Sequence, residues 1–101
     1  MKQFRTYQLA KELFHELKVV KAKGPMRDQL ARASLSIVLN LAEGSAKAGH
    51  KDRKKFFVTA MGSTREVQAI LDLLDNKMLG EKIDKLAAHI YKLINNPGPG
   101  V

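Results

Sequence analysis

Between Gln29 and Ala46 the chain reads QLARASLSIVLNLAEGSA, and only Arg32 and Glu43 in that stretch are ionisable. Wound as a helix at about 100° per residue, it presents three stripes instead of two. Leu30, Ala33, Ile37, Leu41 and Gly44 form one apolar face, and Ala31, Leu35, Val38, Leu39 and Ala42 form a second. Arg32, Ser36, Asn40 and Glu43 make a narrow polar seam between them. A surface helix ordinarily has a single apolar stripe opposite a charged face. A helix apolar on two sides is expected to be covered on both, once by its own bundle and once by another subunit. Leu35, Val38 and Leu39 are the interface residues this predicts.

The rest of the chain shows helical periods and no competing strand pattern. Tyr7, Ala10, Leu13, Phe14, Leu17 and Val20 predict a first helix over Thr6–Val20, with Thr6 as its N-cap. It is expected to stop at Lys23-Gly24-Pro25, where Pro25 can open the second helix, Met26 to Gly44. Phe57, Ala60, Thr64, Val67, Leu71, Leu74 and Met78 keep a seven-residue seam and predict a third helix over Lys51–Lys77. Gly62 lies inside it. A helical glycine costs about 1 kcal/mol against alanine, which implies close approach by another helix. Ile83, Leu86, Ala87, Ile90 and Ile94 predict a fourth helix, opening after Leu79-Gly80 and running to Asn95. Four amphipathic helices on short links predict an all-α fold, an antiparallel up-and-down four-helix bundle over residues 1–95. Residues 96–101, rich in proline and glycine, are expected to form a flexible C-terminal tail.

Charge changes this picture. The 101 residues carry a net charge of +8, enough for one domain with a definite electrostatic character. Residues 1–65 hold 14 Lys and Arg against 5 Asp and Glu, whereas residues 66–101 hold 4 against 5. Such asymmetry points to a polyanionic partner, with a merely solubilising surface as the alternative. The densest cluster is Lys51, Arg53, Lys54 and Lys55, preceded by Lys47. These five are the candidate nucleic-acid contacts. Cysteine is absent, no apolar run approaches the ~20 residues of a membrane span, and the first residues lack the apolar segment of a secretory signal. A cytoplasmic protein with no membrane role is the expectation.

Little suggests catalysis. His15, His50 and His89 fall on three different elements without ligand spacing, so no metal and no cofactor is expected. There is no phosphate loop and no nucleophile elbow. Arg32, Ser36, Asn40 and Glu43 are expected to meet Ser63 and Glu66 across the second and third helices. Two carboxylates there would suit acid–base work. A buried, hydrogen-bonded structural network, in which Arg32 neutralises a carboxylate, fits the same residues better.

Three segments carry a family resemblance: Tyr7-Gln8-Leu9-Ala10, the run Gln29–Ser34 continued by Ser36–Gly44, and Gly62-Ser63-Thr64-Arg65-Glu66 after Phe56-Phe57. The spacing S-I-x-x-N-L-A-E-G is demanded by no generic helix rule. In these segments the chain resembles the 23S rRNA intervening-sequence protein family, from Phe4 to about Ile94. It departs from the family pattern with Val38 in place of a proline and Lys47 in place of an arginine. The resemblance implies a four-helix bundle assembled as a ring-like homopentamer. Relatives are encoded within insertions in bacterial large-subunit rRNA genes, a genetic location that is silent about rRNA binding. A distant branch is similar to accessory proteins of diversity-generating retroelements, which bind a reverse transcriptase and nucleic acid. The expectation is a non-enzymatic, homo-oligomeric accessory protein that binds RNA or DNA. The alternative is a structural scaffold for a protein partner with no nucleic-acid role.

Overall fold

The protein is represented by a computed structural model that describes residues 2–96. Residues 97–101 of the expected tail lie outside the described residues. Four helices follow one another: α1 (Lys2–Leu17), α2 (Gly24–Ala46), α3 (His50–Leu73) and α4 (Lys77–Asn95), with no strand among the described residues. α1 packs on α2 and α4, α2 on α3, and α3 on α4, which closes a four-helix bundle. The molecule measures 44 × 21 × 18 Å.

The apolar periods converge on one core. Leu13 and Leu17 of α1, Leu30, Ile37 and Leu41 of α2, Phe57, Val67 and Leu71 of α3, and Ile83, Leu86, Ile90 and Leu93 of α4 are all buried. Each such side chain contributes about 1.5–3 kcal/mol of transfer free energy. The first apolar face of α2 supplies its whole buried set except Ser34, whose hydroxyl is satisfied by the Ala31 carbonyl at 3.1 Å.

Several boundaries differ from expectation. α1 begins at Lys2, so Thr6 is a buried residue inside the helix and not its N-cap. The helix ends at Leu17, and Val20 reaches the core from the following turn. There Arg27 holds the turn by donating to the carbonyls of Val20 at 2.8 Å and Lys18 at 3.1 Å. Gly24 opens α2 with φ of 57°, a backbone region that costs other residues strain.

The third and fourth helices are divided earlier than the seven-residue seam implies. Asp75 adopts a φ of 55°. The Asn76 amide donates to the Leu71 carbonyl and the Asp75 amide to the Asp72 carbonyl, each at 3.0 Å. These are the paired bonds of a Schellman helix end. Asn76 then caps α4, its side-chain oxygen accepting from the Leu79 amide at 3.1 Å. Met78 is consequently an exposed residue of α4, Leu74 is half-buried, and Gly80 lies within a helix it was expected to precede.

Two of the interior glycines differ in what surrounds them. A Cβ on Gly44 would stand 2.6 Å from the Phe57 ring, so here α3 closes directly on α2. A Cβ on Gly62 would meet nothing within 4 Å among the described residues, so within the chain this position is open.

Candidate nucleic-acid interface

The corner between α2 and α3 gathers the predicted cations. Gly44 admits the Phe57 ring, Lys47 caps α2 with its amide on the Gly44 carbonyl at 3.2 Å, and α3 starts after Gly49. Gly49 offers no side chain to cap the first-turn amides of α3. Arg53 is committed to the corner itself, its ε-nitrogen donating to the Lys47 carbonyl at 2.7 Å. Lys47 is half-buried, 3.5 Å from the Glu43 carboxylate and 5.4 Å from the centre of the Phe56 ring. Lys55 approaches the same ring at 5.9 Å. Lys51, Lys54 and Lys55 are exposed, and among the described residues none of them makes an ion pair. Asp52 is the only acidic residue in that first turn. The five candidates therefore divide into two that brace the corner and three that face solvent.

The polar seam of α2 divides as well. Ser63 donates to the Ser36 hydroxyl at 2.8 Å, and Asn40 donates to the Ser36 carbonyl at 2.9 Å and to its hydroxyl at 3.1 Å. This uncharged cluster is where α2 and α3 share hydrogen bonds in their interface. The charged members lie outside it. Glu66 is exposed and accepts from the Gln29 amide, while Arg32, also exposed, donates to Gln29 at 3.4 Å. Glu43 is exposed and turned toward Lys47. The buried charged network is thus corrected. Glu43 and Glu66 have different partners, and their charges stay in water, where hydration is far less costly to keep than to replace.

On the second face of α2, Leu35 and Leu39 are 45% and 54% exposed and Val38 is half-buried. Grooves of about 260 Å³ flank this face: one between Phe4, Tyr7, Ala42 and Ser45, the other between Phe14, Leu30, Ala31 and Leu35. A third, of about 310 Å³, lies between α3 and α4 and is lined by Asp72, Asp75, Glu81 and Asp84. No histidine lines any of the three. Among the described residues no group of three His, Asp or Glu side chains is placed to hold a metal, and no helix is long and apolar enough to cross a membrane.

A family model described as 23S rRNA-intervening sequence protein matches residues 2–96, nearly the whole chain. The chain belongs to this family. Membership in the 23S rRNA-intervening sequence protein family accords with the four helices and with the segments at the α2–α3 interface, Ser36–Gly44 and Gly62–Glu66. No curated protein and no solved structure matches the chain.

Sequence reasoning missed one feature of this corner. Phe56, half-buried, lies beneath Lys47 and Lys55, and the pairing of aromatic and cation at these spacings was its only signal.

Proposed function

We propose that this member of the family is a non-enzymatic accessory protein that binds RNA or DNA through phosphate contacts at the start of α3. The observation that supports this best is the exposed trio Lys51, Lys54 and Lys55 at a helix N-terminus. Cations are disfavoured there, because the aligned peptide dipoles already place partial positive charge at that end. A phosphate relieves the repulsion and also accepts from the first-turn amides. With Phe56 half-buried beneath two lysine stems, binding rests on phosphates and reads little sequence.

The bundle is read as antiparallel and up-and-down. In support, Gln29, Ser36 and Gly44 along α2 meet Glu66, Ser63 and Phe57 in reverse order along α3. The protein is further read as a homo-oligomer, with Leu35, Val38 and Leu39 at the subunit contact and five copies as the family resemblance implies. The exposed apolar face of α2 supports this, since monomers rarely leave contiguous apolar patches in water. The same face favours the second reading, a scaffold that holds a protein partner.

Two measurements test these readings. Binding to mixed-sequence RNA and DNA is expected to weaken steeply with salt, and Lys51→Glu/Lys54→Glu/Lys55→Glu is expected to flatten that slope by about 2–3. Absence of binding by the wild type at low salt, or an unchanged slope in the variant, refutes the nucleic-acid reading. In sedimentation, Leu35→Glu or Leu39→Glu is expected to dissociate the assembly while its helical circular dichroism persists. A wild type that sediments as a monomer at micromolar concentration refutes the oligomer.

A further inference from the structure

A second basic face lies around the far side of the same end of the bundle. The groove between Phe4, Tyr7, Ala42 and Ser45 sets the start of α1 beside the end of α2, and the Gly44–Phe57 contact sets the start of α3 there. α1 packs on α4, and Lys82 near the start of α4 donates to Glu16 near the end of α1 at 2.7 Å, so the last turns of α4 run back toward Arg5, which acts electrostatically on His89. His89 is half-buried between Lys85, four residues before it, and Lys92, three residues after it, so all three share one helix face.

The charged groups acting on His89 are Lys92 and Lys85 on its own helix and Arg5 on α1, with none from α3. Every one is a cation. Among the described residues neither Arg5, Lys85 nor Lys92 makes an ion pair. Lys92 sits in the last turn of α4, where the helix dipole welcomes a cation, but Arg5 sits in the first turn of α1, where it does not. Desolvation first, then these three cations, holds the His89 imidazole below its ordinary value of 6.5.

We propose that this face is a second phosphate-binding surface, on which Arg5, Lys85 and Lys92 hold nucleic-acid phosphates around His89 and the imidazole takes up a proton as they arrive. The proposal rests on the nucleic-acid reading above and gives it a pH dependence. A phosphate is an opposite charge, so it favours imidazolium, and by linkage whatever raises the protonation of His89 tightens binding. A rise of one unit in its midpoint corresponds to about tenfold tighter binding below both midpoints than above them. The proton is drawn from solvent, and no bond to phosphorus forms or breaks.

The test is an NMR titration of the His89 ring protons with and without mixed-sequence RNA, alongside binding measured from about pH 7.5 to about pH 5.5. The His89 midpoint is expected to rise on RNA addition and binding to tighten as pH falls. His50 lies beside the lysines of α3, so it is the control. His50→Gln is expected to keep the tightening, and His89→Gln to abolish it. Arg5→Gln/Lys92→Gln is expected to lower the salt slope by about 1.4, as loss of two phosphate contacts requires. If RNA binds and the α3 triple variant weakens it, but the His89 midpoint stays fixed, the contact is confined to the α3 corner and this second surface is refuted alone. If RNA does not bind at either pH, both readings fall. Should His89→Gln fail to fold, the wild-type titration decides by itself.

Discussion

Gly44 illustrates how one absent methyl sets the spacing of two helices. The Phe57 ring that fills the space is wholly buried and has nowhere to retreat, since a Cβ at Gly44 would lie 2.6 Å and 2.9 Å from two of its carbons and 3.1 Å from the Phe56 Cβ. Gly44→Ala gains helix propensity of about 1 kcal/mol but overpacks the core, which typically costs about 1–3 kcal/mol and occasionally more. The net expectation is destabilisation, read by denaturant melts. Gly62→Ala meets open space and is expected to stabilise the isolated chain by about 1 kcal/mol. If Gly62→Ala instead destabilises the assembled protein, a neighbouring subunit crosses α3 at that point. Sequence alone marked Gly62 as unusual and implied a close approach there, whereas within one chain the close approach is at Gly44. Period shows that a residue is inside a helix, whereas which neighbour fills the space beside it is a tertiary fact. The same limit governs Glu43 and Glu66. Their place on a seam was legible, but their exposure depended on where Lys47 and Gln29 ended up.

At the scale of elements, the existence of four helices and the inward face of each were legible, because Leu30, Ile37, Leu41, Ile83, Leu86 and Ile90 leave little choice of core. Their ends were less so. The division of α3 from α4 is made by Asp75 and Asn76, neither glycine nor proline, while a real glycine, Gly80, sits inside α4. Asp75 occupies the left-handed region without the freedom of glycine, at a cost of roughly 1 kcal/mol. Asp75→Gly is therefore expected to raise stability by about that amount, since φ is already suited to it and its backbone bond to Asp72 is retained. Asn76→Ala removes the side-chain acceptor for the Leu79 amide and is expected to cost about 1 kcal/mol. A stabilising Asn76→Ala, or a destabilising Asp75→Gly, would show that this turn is held by something other than its cap and its Schellman bonds. α2 depends less on its ends. Its two apolar faces differ in fate: the first is sealed in the core, and the second, with Leu35 and Leu39, remains in solvent.

For the whole molecule, the charge asymmetry seen along the chain becomes an asymmetry along the long axis. In the antiparallel reading proposed above, Arg5, Lys47, Lys51, Lys54, Lys55 and Lys92 collect at one end, with Glu43 and Asp52 as carboxylates beside them. Asp72, Asp75, Glu81 and Asp84 line the groove that continues from the turn between α3 and α4. This separation was legible only as a difference between chain halves, because the meeting of Arg5 with the end of α4 requires the bundle to close. It has a consequence for stability that needs no partner. Like charges gathered at one end repel in the folded state and spread apart on unfolding, so the net charge of +8 opposes folding at low ionic strength. Salt shortens the Debye length from about 30 Å to about 10 Å between 0.01 M and 0.1 M and screens that repulsion. The Tm of the wild type is accordingly expected to rise over this range by several degrees, since about 1 kcal/mol moves a domain of this size by about 4–8 °C. Lys51→Glu/Lys54→Glu/Lys55→Glu removes three positive charges and adds three negative ones, which brings the net charge close to neutral. Its Tm is expected to exceed the wild type at low salt and to respond weakly, or in the opposite direction, to added salt. A triple variant as salt-sensitive as the wild type would place the repulsion elsewhere, and the cluster at the start of α3 would then carry no electrostatic cost for a phosphate to relieve.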